Sequence, residues 1–246
     1  MREPTTSSPS RGMGVQNCPK NAERIILTTK GHLMRIPEHI GIIPDGNRRW
    51  ATSHGISKEK GYAPGLESGL ALFKLCQEVG VKELTFYGFT KDNNKRPTVQ
   101  REAFTDACII AAQKLTEENA SLLVIGNSDS PMFPDELRGY TTRTTFGDGG
   151  IKINFLVNYG WEWDLNQLKV ADNKNENVIR NIKSFDVSRI DLIIRWGGRR
   201  RLSGFLPAQS IYADIFVVEE YWPDFEADHF YRALEWYDKQ DVTLGG

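Results

Sequence analysis

The stretch from His39 to Ala51 constrains the fold of this chain more than any other. Residues 40–44 form a short apolar run of the length of a buried strand. The run stops at Asp-Gly-Asn (45–47), residue types that tolerate the unusual backbone angles of a tight turn. Arg48, Arg49 and Trp50 follow and begin a predicted helix. The pattern therefore predicts a strand that turns sharply into a helix.

The turn at 45–47 has the chemistry of an anion site. A helix N-terminus presents unpaired backbone N–H groups, and these bind phosphate well. Arg48 and Arg49 in the first turn oppose the helix dipole, and an anion held between them relieves that conflict. The Asp45 carboxylate beside them indicates a diphosphate that arrives with Mg²⁺, which takes hard oxygen ligands. A βα turn with a solvated arginine pair is the alternative.

Strands and helices alternate along the rest of the chain, which predicts an α/β fold with a central, mainly parallel sheet flanked by helices. Residues 1–20, rich in Ser, Thr, Pro and Gly, are a predicted disordered tail, and residues 21–246 a single domain. Strands are predicted at 83–90, 121–126, 151–159, 190–196 and 211–218, and helices at 65–79, 98–118, 161–184 and 227–239.

Composition excludes several classes of protein. A net charge of −1 gives no global attraction to nucleic acid or to an acidic membrane. Three widely spaced cysteines without a CxxC pattern fit a reducing cytoplasm rather than a disulfide framework or a zinc site. No apolar run approaches the ~18–20 residues that span a bilayer. We therefore expect a soluble, cytoplasmic protein without a transmembrane segment.

A second charged segment runs from Arg195 to Ser203 and holds four arginines and two glycines. The planar fork of arginine pairs with diphosphate oxygens, and glycine lets the backbone approach a ligand. Nucleic-acid binding needs an extended basic surface with aromatic side chains, which this near-neutral chain lacks. The segment therefore favours a second diphosphate site, with a solvated loop as the remaining alternative.

Two weaker candidates complete the set. Asp214, at the start of the last predicted strand, is a second Mg²⁺ ligand if it pairs with Asp45, and otherwise a satisfied buried polar group. The loop after strand 83–90 is either a solvated loop or a substrate contact, with Phe89 for an apolar group and Thr90, Asp92, Asn93 and Arg96 for a polar one.

Ligands of parallel sheets bind beyond the carboxyl ends of the strands. The loops at 45–50, 90–97 and 195–203 each follow a predicted strand. We therefore expect these loops to converge on one edge of the sheet.

The residues of these segments resemble the cis-prenyltransferases, the undecaprenyl diphosphate synthase family. The resemblance runs from about residue 36 to residue 240, with the motifs in the family's order and spacing. It implies a homodimer, a mainly parallel sheet and a hydrophobic tunnel. The motifs are HIGIIPDGNRRWA from 39, LTFYGFTKDNNKRP from 84, NYG from 158, DLIIR from 191, GG from 197, RLS from 201 and WPDF from 222.

The resemblance also implies roles for individual residues. An allylic prenyl diphosphate donor would bind at the Asp-Gly-Asn turn and a homoallylic acceptor diphosphate at the Arg/Ser loop. Mg²⁺ would be the cofactor, with Asp45 as metal and ionisation carboxylate and Asp214 in place of the family's usual Glu. The implied catalytic residues are Asp45, Asn47 and Arg49, and the implied substrate-binding residues are Gly46, Arg48, Trp50, Lys58, Tyr62, Phe89, Thr90, Asp92, Asn93, Arg96, Arg195, Trp196, Arg199, Arg201 and Ser203.

The chain departs from the family pattern at the chemistry rather than at the scaffold. The departures are Arg48 for Gly, Lys58 for Arg, Tyr62 for His, Asn94 for Trp, Trp196 for Thr and Arg199 for Glu. They favour irregular head-to-middle coupling of dimethylallyl and geranyl diphosphates to a lavandulyl-type C15 diphosphate.

Several alternatives stay open beside that product. They are ordinary head-to-tail elongation with isopentenyl diphosphate, a non-catalytic partner subunit, and transfer to a non-isoprenoid acceptor. Tyr62, Ser203 and the released diphosphate are the candidate proton acceptors.

Overall fold

A single seven-stranded sheet organises the part of the chain that the computed structural model describes, residues 34–166, 168 and 178–241. The sheet order is β4-β3-β5-β2-β1-β6-β7, and all neighbours pair in parallel except β3 and β4. This architecture confirms the α/β prediction. The strands are β1 (His39–Ile43), β2 (Glu83–Tyr87), β3 (Ala120–Ile125), β4 (Thr144–Phe146), β5 (Ile151–Leu156), β6 (Leu192–Arg195) and β7 (Asp214–Val217).

Helices cover the sheet and enclose its core. They are α1 (Asn47–Ser53), α2 (Tyr62–Val79), α3 (Thr98–Thr116), α4 (Trp161–Leu165) and α5 (Ala227–Asp238). Helix α2 buries Leu72, Phe73 and Cys76 and ends at Gly80, whose φ of 86° is typical of a left-handed helix stop. None of the helices in the described ranges is long and apolar enough to cross a bilayer.

Both faces of the sheet are buried. Successive side chains of a strand point to opposite faces, so Ile42 and Ile43 of β1 belong to different apolar clusters. The cluster with Ile42 includes residues of α2, α3 and α5. With both faces covered, the edge where the parallel strands end is where a ligand has access.

The predicted helix at 161–184 is confirmed only at its start, as α4 ends at Leu165 and a 3₁₀ turn lies at Val178–Asn181. Residues 167 and 169–177 of the prediction lie outside the described residues. The Asp164 carboxylate accepts hydrogen bonds of 2.8 Å from the backbone and hydroxyl of Ser184. A continuous helix would separate these residues by about 30 Å. The strand β4 was not predicted, and the predicted tail at 1–20 lies outside the described residues.

Candidate active site

A polar cleft of about 530 Å³ opens where β1, β2 and β6 end. The three loops that were expected to converge, at 45–50, 90–97 and 195–203, all contribute residues to its walls. The convergence follows from the parallel pairing of these strands, which brings their carboxyl ends to one edge.

The sharp turn at Gly46 sets the geometry of the first loop. Its φ of 117° lies in the region that favours glycine, and a Cβ there would come within 2.8 Å of the Tyr221 ring. The carbonyl of Asp45 accepts a hydrogen bond of 3.1 Å from the backbone of Trp222. These contacts fix the backbone on either side of the turn.

The Asp45 carboxylate lies between two guanidinium groups. Its oxygens are 2.9 Å from Arg195 Nη2 and 3.1 Å from Arg49 Nη2. The Arg195 side chain is 4% exposed, whereas that of Asp45 is 33% exposed. Arg49 also donates to the carbonyl of Gly197 at 2.9 Å. The carboxylate is therefore held in place and still open to the cleft.

Arg195 joins the first loop to the Arg/Ser loop. Its Nη1 donates to Ser203 Oγ at 3.0 Å and to the carbonyl of Arg201. Ser203 has a φ of 53°, a conformation that is uncommon for residues other than glycine. The Tyr87 hydroxyl donates to the Ser203 carbonyl at 2.7 Å and so supports this turn.

The cleft carries an excess of positive charge. Five arginines line it against two aspartates, so an anionic ligand would balance the charge. Two buried polar atoms, Arg195 Nε and Asn47 Oδ1, have no hydrogen-bond partner among the described residues. Both atoms are enclosed by protein, and Asn47 Oδ1 faces Gly65 of α2, so the excess of positive charge is what indicates an anionic ligand.

An apolar cavity of about 80 Å³ adjoins the cleft. It is enclosed by α2, α3 and the sheet, with Phe73, Phe86, Leu115 and Trp222 among its walls. A charged cleft beside an apolar cavity suits a ligand with an anionic head and a hydrocarbon tail. The two spaces share five residues, here called the neck: Pro44, Asn47, Tyr62, Gly88 and Phe104.

Most of the residues that were predicted from the sequence as a site lie together in this cleft. They come from four separate segments of the chain. Those that line the cleft are Asp45, Gly46, Asn47, Arg48, Arg49, Tyr62, Thr90, Asp92, Asn93, Arg96, Arg195, Arg199 and Ser203.

Trp196 does not line the cleft, in contrast to the prediction. It is fully buried and packs edge-on against Trp222, with ring centroids 4.7 Å apart and planes at 78°. Its second aromatic neighbour is Phe225, at 5.9 Å. Trp196 therefore supports the wall of the apolar cavity from behind rather than adding bulk near the reacting groups.

Four other predicted residues also point elsewhere. The Trp50 indole donates to Asp224 at 2.6 Å, and Lys58 lies in an exposed 3₁₀ turn. Phe89 is 1% exposed and belongs to the core. Arg201 reaches the site through its carbonyl, which accepts from Arg195.

Asp214 is not brought to Asp45 within this chain. It begins β7 and pairs in register with Leu192, whereas the cleft lies beyond Arg195, which pairs with Val217. Three residues of strand separate Asp214 from the carboxyl edge by about 10 Å. The geometry of one chain therefore does not make these carboxylates a joint metal site.

Tyr87 and Phe104 line the cleft and were not predicted as site residues. Tyr87 is the last residue of β2, a position that faces ligands in parallel sheets. Its position near the end of a predicted parallel strand could therefore have identified Tyr87 as a site residue. Phe104 lies within the predicted helix at 98–118, and no signal in the sequence marked it as a site residue.

The side chains that could ligate a metal suit Mg²⁺ that binds together with a phosphate ligand. In the described part of the chain, no group of three or more His, Cys, Asp or Glu side chains could hold a metal ion. Asp45 offers one carboxylate beside a large polar space. Mg²⁺ is usually bound through one or two carboxylates together with substrate phosphates, so Asp45 and a diphosphate fit it.

Comparisons with known proteins identify the family of this chain. A family model described as "Putative undecaprenyl diphosphate synthase" matches residues 43–245. Two similar proteins are the ditrans,polycis-undecaprenyl-diphosphate synthases ((2E,6E)-farnesyl-diphosphate specific) of Yersinia pseudotuberculosis and Wigglesworthia glossinidia brevipalpis. The first is 31% identical over 232 residues, 86% of this chain and 91% of the relative. The second is 32% identical over 239 residues, 89% of this chain and 91% of the relative.

A solved structure shares the fold. Lavandulyl diphosphate synthase from Lavandula x intermedia, in complex with dimethylallyl diphosphate, has a TM-score of 0.75 and 20% identity to this chain. The match covers 85% of this chain and 98% of that one. At this identity the likeness shows the architecture alone.

Proposed function

We propose that this chain, which belongs to the cis-prenyltransferase (undecaprenyl diphosphate synthase) family, makes a short and irregular prenyl diphosphate. Membership makes it a prenyltransferase that joins isoprenoid diphosphates and releases diphosphate. The proposed reaction couples geranyl diphosphate as donor to dimethylallyl diphosphate as acceptor, head to middle. Its product is a lavandulyl-type C15 diphosphate.

One observation carries this proposal. Arg48, Tyr62 and Arg199, three of the departures from the family pattern, all line the cleft. They replace a glycine, a histidine and a glutamate, so the charges that seat two diphosphates are rearranged. The bond formed depends on which carbon of the acceptor alkene faces the donor, and a shift of about 1 Å is enough to alter reactivity.

The donor half of the site lies at the Asp-Gly-Asn turn. Ionisation breaks the bond between the allylic carbon and the diphosphate oxygen and leaves an allylic cation. Arg48, Arg49 and Arg96 line the cleft and can stabilise the negative charge of the leaving diphosphate. Mg²⁺, which family members require in general, would be held by Asp45 and the phosphates and would neutralise part of that charge.

The acceptor half lies at Arg195 and Ser203. Their hydrogen bond of 3.0 Å presents a guanidinium and a hydroxyl to the second diphosphate. The acceptor alkene attacks the allylic cation, a carbon–carbon bond forms, and a neighbouring carbon loses a proton. Burial raises the pKa of Tyr62, so its phenol stays protonated. Ser203 Oγ already accepts a hydrogen bond from the Arg195 cation, which makes it a poor proton acceptor. We therefore assign the proton to the released diphosphate.

The product is proposed to be short because the apolar cavity is small. Its volume of about 80 Å³ is much less than the 530 Å³ of the cleft. The cavity also keeps water from the cation, which water would otherwise capture.

A homodimer is proposed from the edge of the sheet. β7 is the outermost strand, with β6 on its inner side. Ile211, Tyr212 and Ile215 on or beside it are 70%, 58% and 40% exposed. An open edge strand with exposed apolar side chains pairs readily with a second copy.

The proposed location is the cytoplasm. Cys76 and Cys108 are buried free thiols, which persist in a reducing compartment. Cys18 lies outside the described residues.

Ordinary head-to-tail elongation is the second candidate. It is favoured by the names of the relatives, which are farnesyl-specific undecaprenyl diphosphate synthases at 31% and 32% identity. In that reaction the acceptor is isopentenyl diphosphate, and a short cavity would have to open for a long product.

Product analysis by mass spectrometry separates the two candidates. The protein is incubated with Mg²⁺, geranyl diphosphate and dimethylallyl diphosphate, and in parallel with isopentenyl diphosphate as acceptor. The proposal expects a branched C15 diphosphate in the first mixture, and no turnover when a chelator replaces the metal. Turnover only with isopentenyl diphosphate would overturn the irregular product and leave elongation.

A further inference from the structure

The neck between the cleft and the apolar cavity has an aromatic wall. The rings of Tyr62 and Phe104 lie 4.7 Å apart with an angle of 6° between their planes. Tyr62 is 4% exposed, and Phe89 packs edge-on against Phe104 at 5.8 Å. The position of each ring is therefore set by its neighbours. Any hydrocarbon tail that passes from the cleft into the cavity has to pass this pair.

Arg96 fastens the pair from the side of the cleft. Its Nη1 donates to the Tyr62 hydroxyl at 2.9 Å, and its guanidinium lies 5.5 Å from the centre of the Phe104 ring. It forms no ion pair with any carboxylate of the described residues. Burial lowers the pKa of Arg96, since desolvation disfavours the charged form. The cation is thus held by a neutral hydroxyl and an aromatic ring.

A diphosphate oxygen is a stronger acceptor for Arg96 than a phenol is. The guanidinium is charged in both cases, but the diphosphate oxygen carries an opposite charge and adds a Coulomb attraction that the neutral phenol lacks. Arg96 lines the cleft, so a bound diphosphate attracts its guanidinium away from the single bond that Nη1 donates to Tyr62. When Arg96 binds the diphosphate instead, Tyr62 loses its hydrogen bond to Arg96, which helps to keep its ring against Phe104.

We propose that Arg96, Tyr62 and Phe104 form a latch that couples binding of the donor's diphosphate to opening of the neck. The latch makes Tyr62 and Phe104 determinants of the donor's chain length. This inference rests on the proposed function, because it assumes that the cleft takes a prenyl diphosphate. The histidine that the family pattern has at position 62 lacks the phenol hydroxyl that accepts from Arg96, so the latch depends on the tyrosine of this chain.

Donor selectivity tests the neck. The ratio of kcat/KM for farnesyl to that for geranyl diphosphate is measured with one acceptor held constant. Phe104→Ala removes one ring of the pair and is expected to raise the ratio about tenfold or more. Tyr62→Phe keeps the ring and removes the bond to Arg96, and a several-fold rise is expected.

Leu115→Ala is the matched control for cavity size. Leu115 lines the same cavity on the same helix but lies about 16 Å further along α3 and does not line the cleft. This change enlarges the cavity and leaves the neck intact, so the ratio should change less than after Phe104→Ala. A larger effect of Leu115→Ala would assign selectivity to cavity depth and overturn the role of the neck.

A binding experiment tests the latch without turnover. Calorimetry measures the affinity of geraniol with and without inorganic diphosphate. In the unmodified protein, diphosphate should tighten geraniol binding about fivefold or more, and in Tyr62→Phe it should have little effect. Equal affinities with and without diphosphate in the unmodified protein would overturn the latch.

The two kinds of failure are distinguishable. Absence of prenyl transfer with every donor and acceptor would reject the proposed function, whereas the calorimetric coupling would still decide the latch. Prenyl transfer without any response of selectivity to Phe104→Ala and Tyr62→Phe would reject the latch alone.

Discussion

The two ends of strand β1 carry polar clusters of opposite character. At the amino end, the His39 ring is buried and both of its nitrogens have partners. Nε2 is 2.8 Å from Thr85 Oγ1, and Nδ1 is 3.0 Å from Ser188 Oγ. At the carboxyl end, Asp45 is part of an open cleft with an excess of arginines.

The amino-end cluster continues across the sheet. Asn154 Nδ2 donates to Glu83 at 2.7 Å and to Thr85 at 2.9 Å, and Asn154 Oδ1 accepts from Arg143 at 2.8 Å. None of the buried polar atoms in this cluster lacks a partner, whereas Asn47 Oδ1 and Arg195 Nε at the cleft do. A satisfied buried network stabilises and specifies a fold. The comparison therefore separates scaffold from site by closure and charge, since one cluster is buried and paired and the other is open with an excess of arginines.

Asp45→Ala tests the carboxyl-end cluster and has the largest expected effect. It removes the carboxylate between Arg49 and Arg195, so kcat should fall about 10³-fold. The measurement is product formation per mole of folded protein, with circular dichroism as a check of the fold. Asp45→Asn, of the same shape, should lose a similar factor. If either variant kept its activity, the ionisation role of Asp45 would be wrong.

Asn154→Ala tests the amino-end cluster. It removes the hydrogen bonds that Asn154 makes with Glu83, Thr85 and Arg143 and leaves those groups less well satisfied in the core, so the free energy of unfolding should fall by about 2–3 kcal/mol. The change is measured by urea denaturation. Because Asn154 pairs with the middle of β2 and does not line the cleft, kcat of the folded variant should be unchanged. A loss of kcat without a loss of stability would contradict the separation of scaffold from site.

Ser203→Ala sharpens the comparison inside the cleft. It removes the hydroxyl that accepts from Arg195 and leaves the other contacts of that side chain. KM for the acceptor diphosphate should rise about tenfold, the effect of one hydrogen bond to a charged group. KM for the donor and the urea midpoint should change little. An equal rise of both KM values would mean that Ser203 does not distinguish the two diphosphates.

His39→Gln has the smallest expected effect and tests pH dependence. Burial holds the pKa of His39 below its usual value of about 6.5, and the charge of Glu83 opposes part of this shift. As the pH falls below about 6.5, the unfolded chain binds the proton first, so stability present above that pH is lost. The urea midpoint of the unmodified protein should therefore fall more steeply toward about pH 5 than that of the variant. If the urea midpoints of the two proteins fell in parallel with pH, His39 would not be the cause of the loss of stability at low pH.

The sequence was sufficient to predict those parts of the site that depend on the chemistry of neighbouring residues. The Asp-Gly-Asn turn needs a residue with positive φ, and Gly46 supplies it. Arg195 and Ser203 lie in a short, highly charged loop, which is a strong signal for an anion. The alternation of strands and helices also follows from local periodicity.

The sequence was not sufficient where the direction of a side chain decides its role. Arg195 and Trp196 are neighbours, but successive side chains leave a strand in opposite directions, so one faces the cleft and the other the core. Asp214 was correctly expected at the start of its strand. In a parallel sheet the starts of the strands lie at the edge opposite the cleft, so Asp214 is remote from Asp45 in the same chain. The prediction of a joint metal site did not take this geometry into account.

Tyr221 limits what the Asp-Gly-Asn turn can become. A side chain at position 46 would meet both the ring of Tyr221 and its Cα, at 2.8 and 3.1 Å, and the backbone of Tyr221 cannot rotate away. Arg49 lies over the same ring, with its guanidinium carbon 5.0 Å from the ring centre. A mutant library that aims at new products should therefore keep position 46 fixed and vary positions 62 and 104, where the chain can exchange one aromatic surface for another and remain folded.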